Sequence, residues 1–228
     1  SGALDSVTTA TQVVGIGYQA GHTITTGSNN VAIGSESLIG LTTGGNNTAV
    51  GIASLRSMTG SYNTGLGTFA GYHSTSSTGS NTLIGAHAGF GASGSTTANY
   101  VTAVGESAAR LITTANSATA IGYQAAYSIT TATNTTAVGY NSLYALVSGT
   151  DNTSIGHSSS RSITTGTHNT AGGYDSLGLC TTGGQNTAFG RSALTSITTS
   201  SGSAAFGYLA LLNATNGPNT AVGSSSLL

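Results

Sequence analysis

Asn46-Asn47-Thr48-Ala49-Val50-Gly51 decides the fold, because the chain writes some version of it thirteen times. The closing glycine falls at Gly17, Gly34, Gly51, Gly67, Gly85, Gly105, Gly122, Gly139, Gly156, Gly173, Gly190, Gly207 and Gly223. The intervals run from 16 to 20 residues and are most often 17. A fixed period of this size marks one small supersecondary unit stacked on itself.

Counting that glycine as position 0, position −1 is Ile16, Ile33, Val50, Leu66 and so on to Val222, with Gly172 as the outlier. Position −3 opens with Val14 and Val31 and then becomes threonine, from Thr48 to Thr220, with Ala204 as the exception. Apolar or β-branched residues two apart, separated by a small residue, read as a short half-buried strand. Position +3 is always Ala or Ser, and +4 is often Leu, as in Leu38, Leu55 and Leu143. Position +7 is mostly apolar, with Ile24, Leu41, Met58 and Cys180 among its members. A Thr-Thr pair and a turn glycine then close many units, as in Thr42-Thr43-Gly44.

Each unit therefore reads as two short strands and two turns, with glycines supplying positive φ or close backbone approach. Helix is excluded, since no run keeps a 3.6-residue period between the glycines. The expectation is an all-β fold: a β-solenoid, or β-roll, of about thirteen coils over residues 1–228 as a single repetitive segment. Strands ~4.8 Å apart would make a rod on the order of 60 Å long. One coil offers only three or four apolar side chains, and narrow solenoids gain from partner surfaces, so a homotrimer is expected. Neither end reads as a polar cap, which suggests a slice of a longer fibre or end-to-end stacking.

Three departures from the period stand out. Gly91-Ala92-Ser93-Gly94-Ser95 reads as an inserted surface loop. Gly172 leaves a gap in its column unless a neighbour fills it. The units ending at Gly67 and Gly223 are one residue short, which trims a turn.

Composition removes several function classes. Charged residues are 4% of the chain, against about 25% in an ordinary soluble domain. A net charge of −1 gives no basic surface for nucleic acid. No apolar run reaches the ~18 residues that a membrane helix needs, so membrane insertion is not expected. A single cysteine excludes an intrachain disulfide, and Cys180 reads as a core residue.

The repeat Asn30-Val31-Ala32-Ile33-Gly34 resembles the Asn-Ser-Val-Ala-Ile-Gly repeat in the β-roll heads of trimeric autotransporter adhesins. The fuller unit from Thr42 to Gly51 resembles repeats of bacteriophage tail-fibre proteins, and the likeness covers nearly the whole chain. It implies an elongated extracellular homotrimer, on a virion or a bacterial surface, that takes part in attachment to a host. A cell-surface glycan or protein receptor would then be the partner.

Stacking turns sequence columns into surface ladders. Position +1 gives Tyr123, Tyr140, His157, Tyr174, Arg191 and Tyr208 in consecutive coils, with Tyr18 apart. Such a row reads either as a platform for sugar rings and other flat faces or as packing, inward or against a neighbouring chain. Position +5 gives Arg56, Tyr72, Phe90, Arg110, Tyr127, Tyr144 and Arg161, with cation–π contacts expected for Phe90–Arg110 and Tyr144–Arg161. Asp151, His168 and Gln185 share a column and should form a short hydrogen-bonded ladder.

Five scattered carboxylates and five histidines in different columns suggest no catalytic residues, no metal site and no cofactor, hence no enzyme. Two other functions remain. The Thr-Thr pairs could make an ice-binding ladder, although the row is interrupted at Ser57–Gly60, Ser74–Ser77 and Ser93–Thr97. The rod could also be a plain structural spacer or a self-assembling filament subunit.

Overall fold

A strand of three or four residues ends just before every repeat glycine, and nothing in the described chain is helical. The computed structural model describes residues 2–75, 79–92 and 96–228, so Ser93, Gly94 and Ser95 of the expected loop lie outside it. Parts of the expected interruptions of the Thr row, at residues 76–77 and 93–95, lie outside it too. The chain forms two compact units, Ser1–Ser117 and Ala118–Leu228. The first holds β1 (Val14–Ile16), β2 (Val31–Ile33), β3 (Thr48–Val50), β4 (Thr64–Leu66), β5 (Thr82–Ile84) and β6 (Thr102–Val104). The second holds β7 (Ala118–Ile121), β8 (Thr135–Val138), β9 (Thr153–Ile155), β10 (Thr170–Gly172), β11 (Thr187–Phe189), β12 (Ala204–Phe206) and β13 (Thr220–Val222).

Within each unit every strand pairs in parallel with the next one in sequence, and equivalent repeat positions lie side by side. Each unit is thus a β-solenoid. The short coil closed by Gly67 keeps this register, with Thr48 opposite Thr64.

Only one strand forms per coil, not the expected two. The stretch after the glycine is a chain of turns, because positions +2 and +4 both take left-handed backbone, as at Glu36 and Leu38 (φ 59° and 50°). A third left-handed residue stands at −5, for example Asn46 (φ 59°). Non-glycine residues adopt this conformation reluctantly, and here the hydrogen bonding between coils holds them in it. Glu36 N–H donates to Tyr18 O of the coil before, while Leu38 N–H donates to Ser54 O of the coil after. The backbone is therefore satisfied by neighbours on both sides well beyond the residues counted as strand.

The glycine column is required by contact as well as by φ. Gly122 sits at φ 130°, and a Cβ there would lie 2.5 Å from Gly139 O. The same backbone approach recurs at Gly139 and Gly156.

The core departs from expectation in one respect. Positions +3, +4 and +7 are buried as their pattern suggests, with Ala20, Ile24, Leu38, Leu41, Leu143 and Leu146 fully enclosed. Cys180 is buried among them, and its desolvated thiol is pushed up to about 11. The strands, however, turn their small middle residue inward, such as Ala32, Ala49, Ala137 and Ala188. Their apolar residue at −1 faces out instead: Ile16 is 59% and Ile155 51% exposed. The cause is width, since strand and turns lie close across a narrow coil that only a methyl group fits. Leu83 is the exception that tests this account. It takes a place Ala usually holds, and the neighbouring +4 residues are Gly71 and Gly89, where an added Cβ would come within 2.7 Å of its side chain.

The fourth column of the core, at −4, is polar over much of its length, with Val101 and Ala118 as apolar members. Asn30, Asn47, Asn63 and Asn81 in one unit, and Asn152, Asn169 and Asn186 in the other, are wholly or almost wholly buried at −4. Asn47 Oδ1 accepts from the backbone N–H of Asn63 (2.9 Å) and from its Nδ2 (3.0 Å). Asn47 Nδ2 donates to Asn30 Oδ1 (3.1 Å) and to Gly60 O (3.0 Å). Every amide thus ties its coil to the neighbours and fastens a turn. The ladder ends at the backbone N–H of Val101 in one unit and Ser203 in the other.

Leu83→Ala should lower unfolding free energy by about 2–5 kcal/mol, the usual range for a buried leucine that leaves a cavity. Chemical denaturation read by circular dichroism checks this. Cys180 should resist alkylation at pH 8 until denaturant is added, because a raised pKa keeps it as the unreactive thiol; labelling of the folded protein would contradict the core placement.

Candidate functional site

The six residues of the +1 row follow the repeat glycine at the exit of β7 to β12. That glycine's positive φ turns the chain away from the strand, and parallel register places each side chain over the last. The ring centroids of Tyr123 and Tyr140 are 5.3 Å apart, those of Tyr140 and His157 4.8 Å, and those of His157 and Tyr174 5.1 Å. The planes differ by only 14–20°. The Arg191 guanidinium continues the pile, 5.6 Å from the ring centres of both Tyr174 and Tyr208, and its Nη1 donates to Tyr208 Oη at 3.2 Å.

All six side chains are exposed, the tyrosines by 40–50%, so packing into their own coil is ruled out. The ring faces within the pile nevertheless cover one another. What the row offers is a comb of ring edges and hydroxyls at the spacing of the coils. Tyr18 stands exposed by itself in the other unit.

The +5 row is broken. In the first unit it is continuous: Arg56 lies 5.3 Å over Tyr72, Tyr72 stacks on Phe90 at 5.3 Å, and Arg110 lies 5.4 Å over Phe90. Phe69, His73 and His87 pack around it as a cluster of rings. Burial, with the Arg56 charge adding, lowers the His73 pKa. In the second unit Tyr127 stacks on Tyr144 at 5.1 Å, and there the pile stops. The expected Tyr144–Arg161 contact is replaced by an ion pair in which Arg161 Nη1 donates to Asp175 Oδ1 at 2.9 Å. A hydrogen-bonded carboxylate outcompetes a ring face for a guanidinium. The result is a groove of about 340 Å³ lined by Asn141, Tyr144, Ala145, Arg161 and Ser162.

The short polar ladder also differs in its members. His168 Nε2 stands 3.6 Å from Asp151 Oδ2, and Asn134 Nδ2 donates to Asp151 Oδ1 at 3.1 Å, so the third member is Asn134 and not Gln185. Hydrogen bonds from Asn134 and Thr150 hold the Asp151 carboxyl below its usual range.

On the strand face the outward residues at −1 and −3 form two further columns, where the sequence reading had only a half-buried strand with its facing open. Their composition carries no charge: Ile, Val, Leu and Phe at −1, mostly Thr at −3. The gap at Gly172 is filled from within the chain, because a Cβ there would lie 2.6 Å from the Phe189 ring, which leans across from the next strand. Phe189 stacks in turn on Phe206, with centroids 5.8 Å apart.

The hydroxyls of the Thr-Thr pairs are partly committed. The first threonine donates to the next coil's backbone, as in Thr25 Oγ1 to Thr42 O (3.1 Å) and Thr164 Oγ1 to Thr181 O (3.2 Å). Among the described residues no three His, Cys, Asp or Glu side chains come together to hold a metal. The chain matches no family model, no curated protein and no solved structure.

His157→Ala interrupts the pile at its centre and should cost about 1 kcal/mol of stability, the scale of stacked ring pairs. Thermal unfolding followed by near-ultraviolet circular dichroism measures this, and an unchanged tyrosine signal would contradict the stacking.

Proposed function

We propose that the chain is a structural segment of an extracellular trimeric fibre, of the phage tail-fibre or adhesin kind, whose copies pack along their strand faces. The observation that carries this reading is the uncharged outward column in each unit, with Ile16 and Leu66 in the first and Ile121, Ile155, Phe206 and Val222 in the second, which the described residues leave exposed. Soluble monomers rarely leave a continuous apolar strip in water, and closed rings of copies are the common way to bury one. Parallel in-register strands suit this, because within each unit every coil presents the equivalent position beside the last. The fibre's role is display: a stiff, nearly neutral stack holds its surface rows away from the particle or cell, where the comb of Tyr123 to Tyr208 meets a host glycan or protein.

A second reading rests on the outward threonines. Thr48, Thr64, Thr82 and Thr102 stand in register in one unit, and Thr119, Thr136, Thr153, Thr170 and Thr187 in the other. A flat array of hydroxyls and methyls at the ~4.8 Å strand spacing is a surface on which ordered water can be templated. Ice binding would then use these threonines and not the Thr-Thr pairs.

The two readings need opposite states of one face. Light scattering should give three times the chain mass, and Ile121→Lys with Ile155→Lys should reduce it to the monomer without loss of β structure. A wild-type monomer showing thermal hysteresis in a freezing assay would replace the fibre reading with the ice-binding one.

A further inference from the structure

In the +5 row of the second unit, the groove beside Tyr144 lies where the expected Arg161 cover is withheld. Tyr127 lies against one face of Tyr144 from the preceding coil. The groove opens on the other side, toward the coil of Arg161 and Ser162. Arg161 would close it by lying over the ring, and its ion pair with Asp175 draws it away. The opening is maintained by a charge pair and by small residues, Ala145 and Ser162, at its edges.

Its chemistry is specific. Asn141 lines the groove, and its Oδ1 is shut off from water with no hydrogen-bond partner among the described residues. A buried acceptor without a partner is unfavourable by about 1–3 kcal/mol. Rotation of the part-exposed Asn141 side chain brings this acceptor into the open groove, where water or a ligand hydroxyl supplies the missing bond. The Ser162 hydroxyl and the guanidinium edge of Arg161 add further polar contacts. Because Asp175 already neutralises Arg161, the site has no net charge with which to select an anion. At about 340 Å³ the groove lies at the small end of ligand sites, roughly 300–1,000 Å³, and suits one or two six-membered rings.

We propose that this groove is a binding site for a neutral pyranose, with the ring's C–H face on Tyr144 and a hydroxyl on Asn141. The proposal goes beyond the fibre reading and does not depend on it, since every lining residue belongs to one chain. A flat aromatic ligand would fill the same space and leave Asn141 unpaired. An acidic sugar would find its counter-charge already taken.

The test is amide and side-chain NMR of the full chain, titrated with the methyl pyranosides of glucose, galactose and mannose, with methyl glucuronide and benzyl alcohol as controls. At least one neutral glycoside should shift the Asn141 side-chain amide and the Tyr144 ring with millimolar affinity, ahead of both controls. Tyr144→Ala should weaken this by about tenfold or more, a change of about 1.4 kcal/mol. Tyr144→Phe keeps the ring and should keep binding, which separates loss of the platform from loss of the fold. Tyr140→Ala, in the other pile, should leave the affinity unchanged. No shift at Asn141 and Tyr144 with any neutral glycoside overturns the proposal, as does stronger binding of glucuronide or benzyl alcohol. Light scattering on the same samples keeps the two readings apart: a monomer that binds retains the groove and loses the fibre, and a trimer that does not bind loses the groove alone.

Discussion

The buried asparagine amide is the contact on which both units depend. The strands of so narrow a solenoid contribute little more than methyl groups to the interior, and its larger apolar side chains come from the turns at +4 and +7. An amide has two donors and an acceptor that takes two bonds, and inside the ladder, as at Asn47, all of these are used. One side chain fixes the turn before the strand, the height of the next coil and the lateral position of both. A half-made ladder would strand buried polar groups, so the bonds favour completion of the whole stack.

That polar column explains the inverted strand. With Asn, Ala, Ala or Ser, Leu and Ile filling the inside, there is no room for the side chains at −1 and −3, and both turn to solvent. The surface this makes is apolar for a structural reason: the coil is too thin to hide it. In the proposed fibre, packing between copies would cover the apolar side chains that so thin a coil leaves outside.

Much of this was legible in the letters. Period and glycine phase were enough to specify the stacked coils, their number and the aligned columns, because in-register stacking leaves no choice of partner. The rings at Tyr123, Tyr140, His157 and Tyr174 were readable as neighbours for the same reason. The direction of the strand side chains was not, since alternation of Thr, Ala and Val is compatible with either face until coil width is known. Nor was the second strand's absence. Left-handed backbone at Glu36 and Leu38 has no compositional signature, glycine being missing from both. The open side of Tyr144 depended on a choice by Arg161 between a ring and the Asp175 carboxylate, a choice that turns on two residues fourteen apart in sequence.

Leu83, between Gly71 and Gly89, shows that these near-identical coils are not interchangeable parts. Leu83 of one strand supplies the bulk that Gly71 in the turn before it and Gly89 in the turn after it both lack, and Phe189 supplies the same for Gly172. Lengthening or shortening such a chain by recombination must therefore move groups of coils together. A cut between Gly71 and Leu83 would leave a hole in one product and a collision in the other, so the history of the repeat array is constrained by inherited pairings that the period alone conceals.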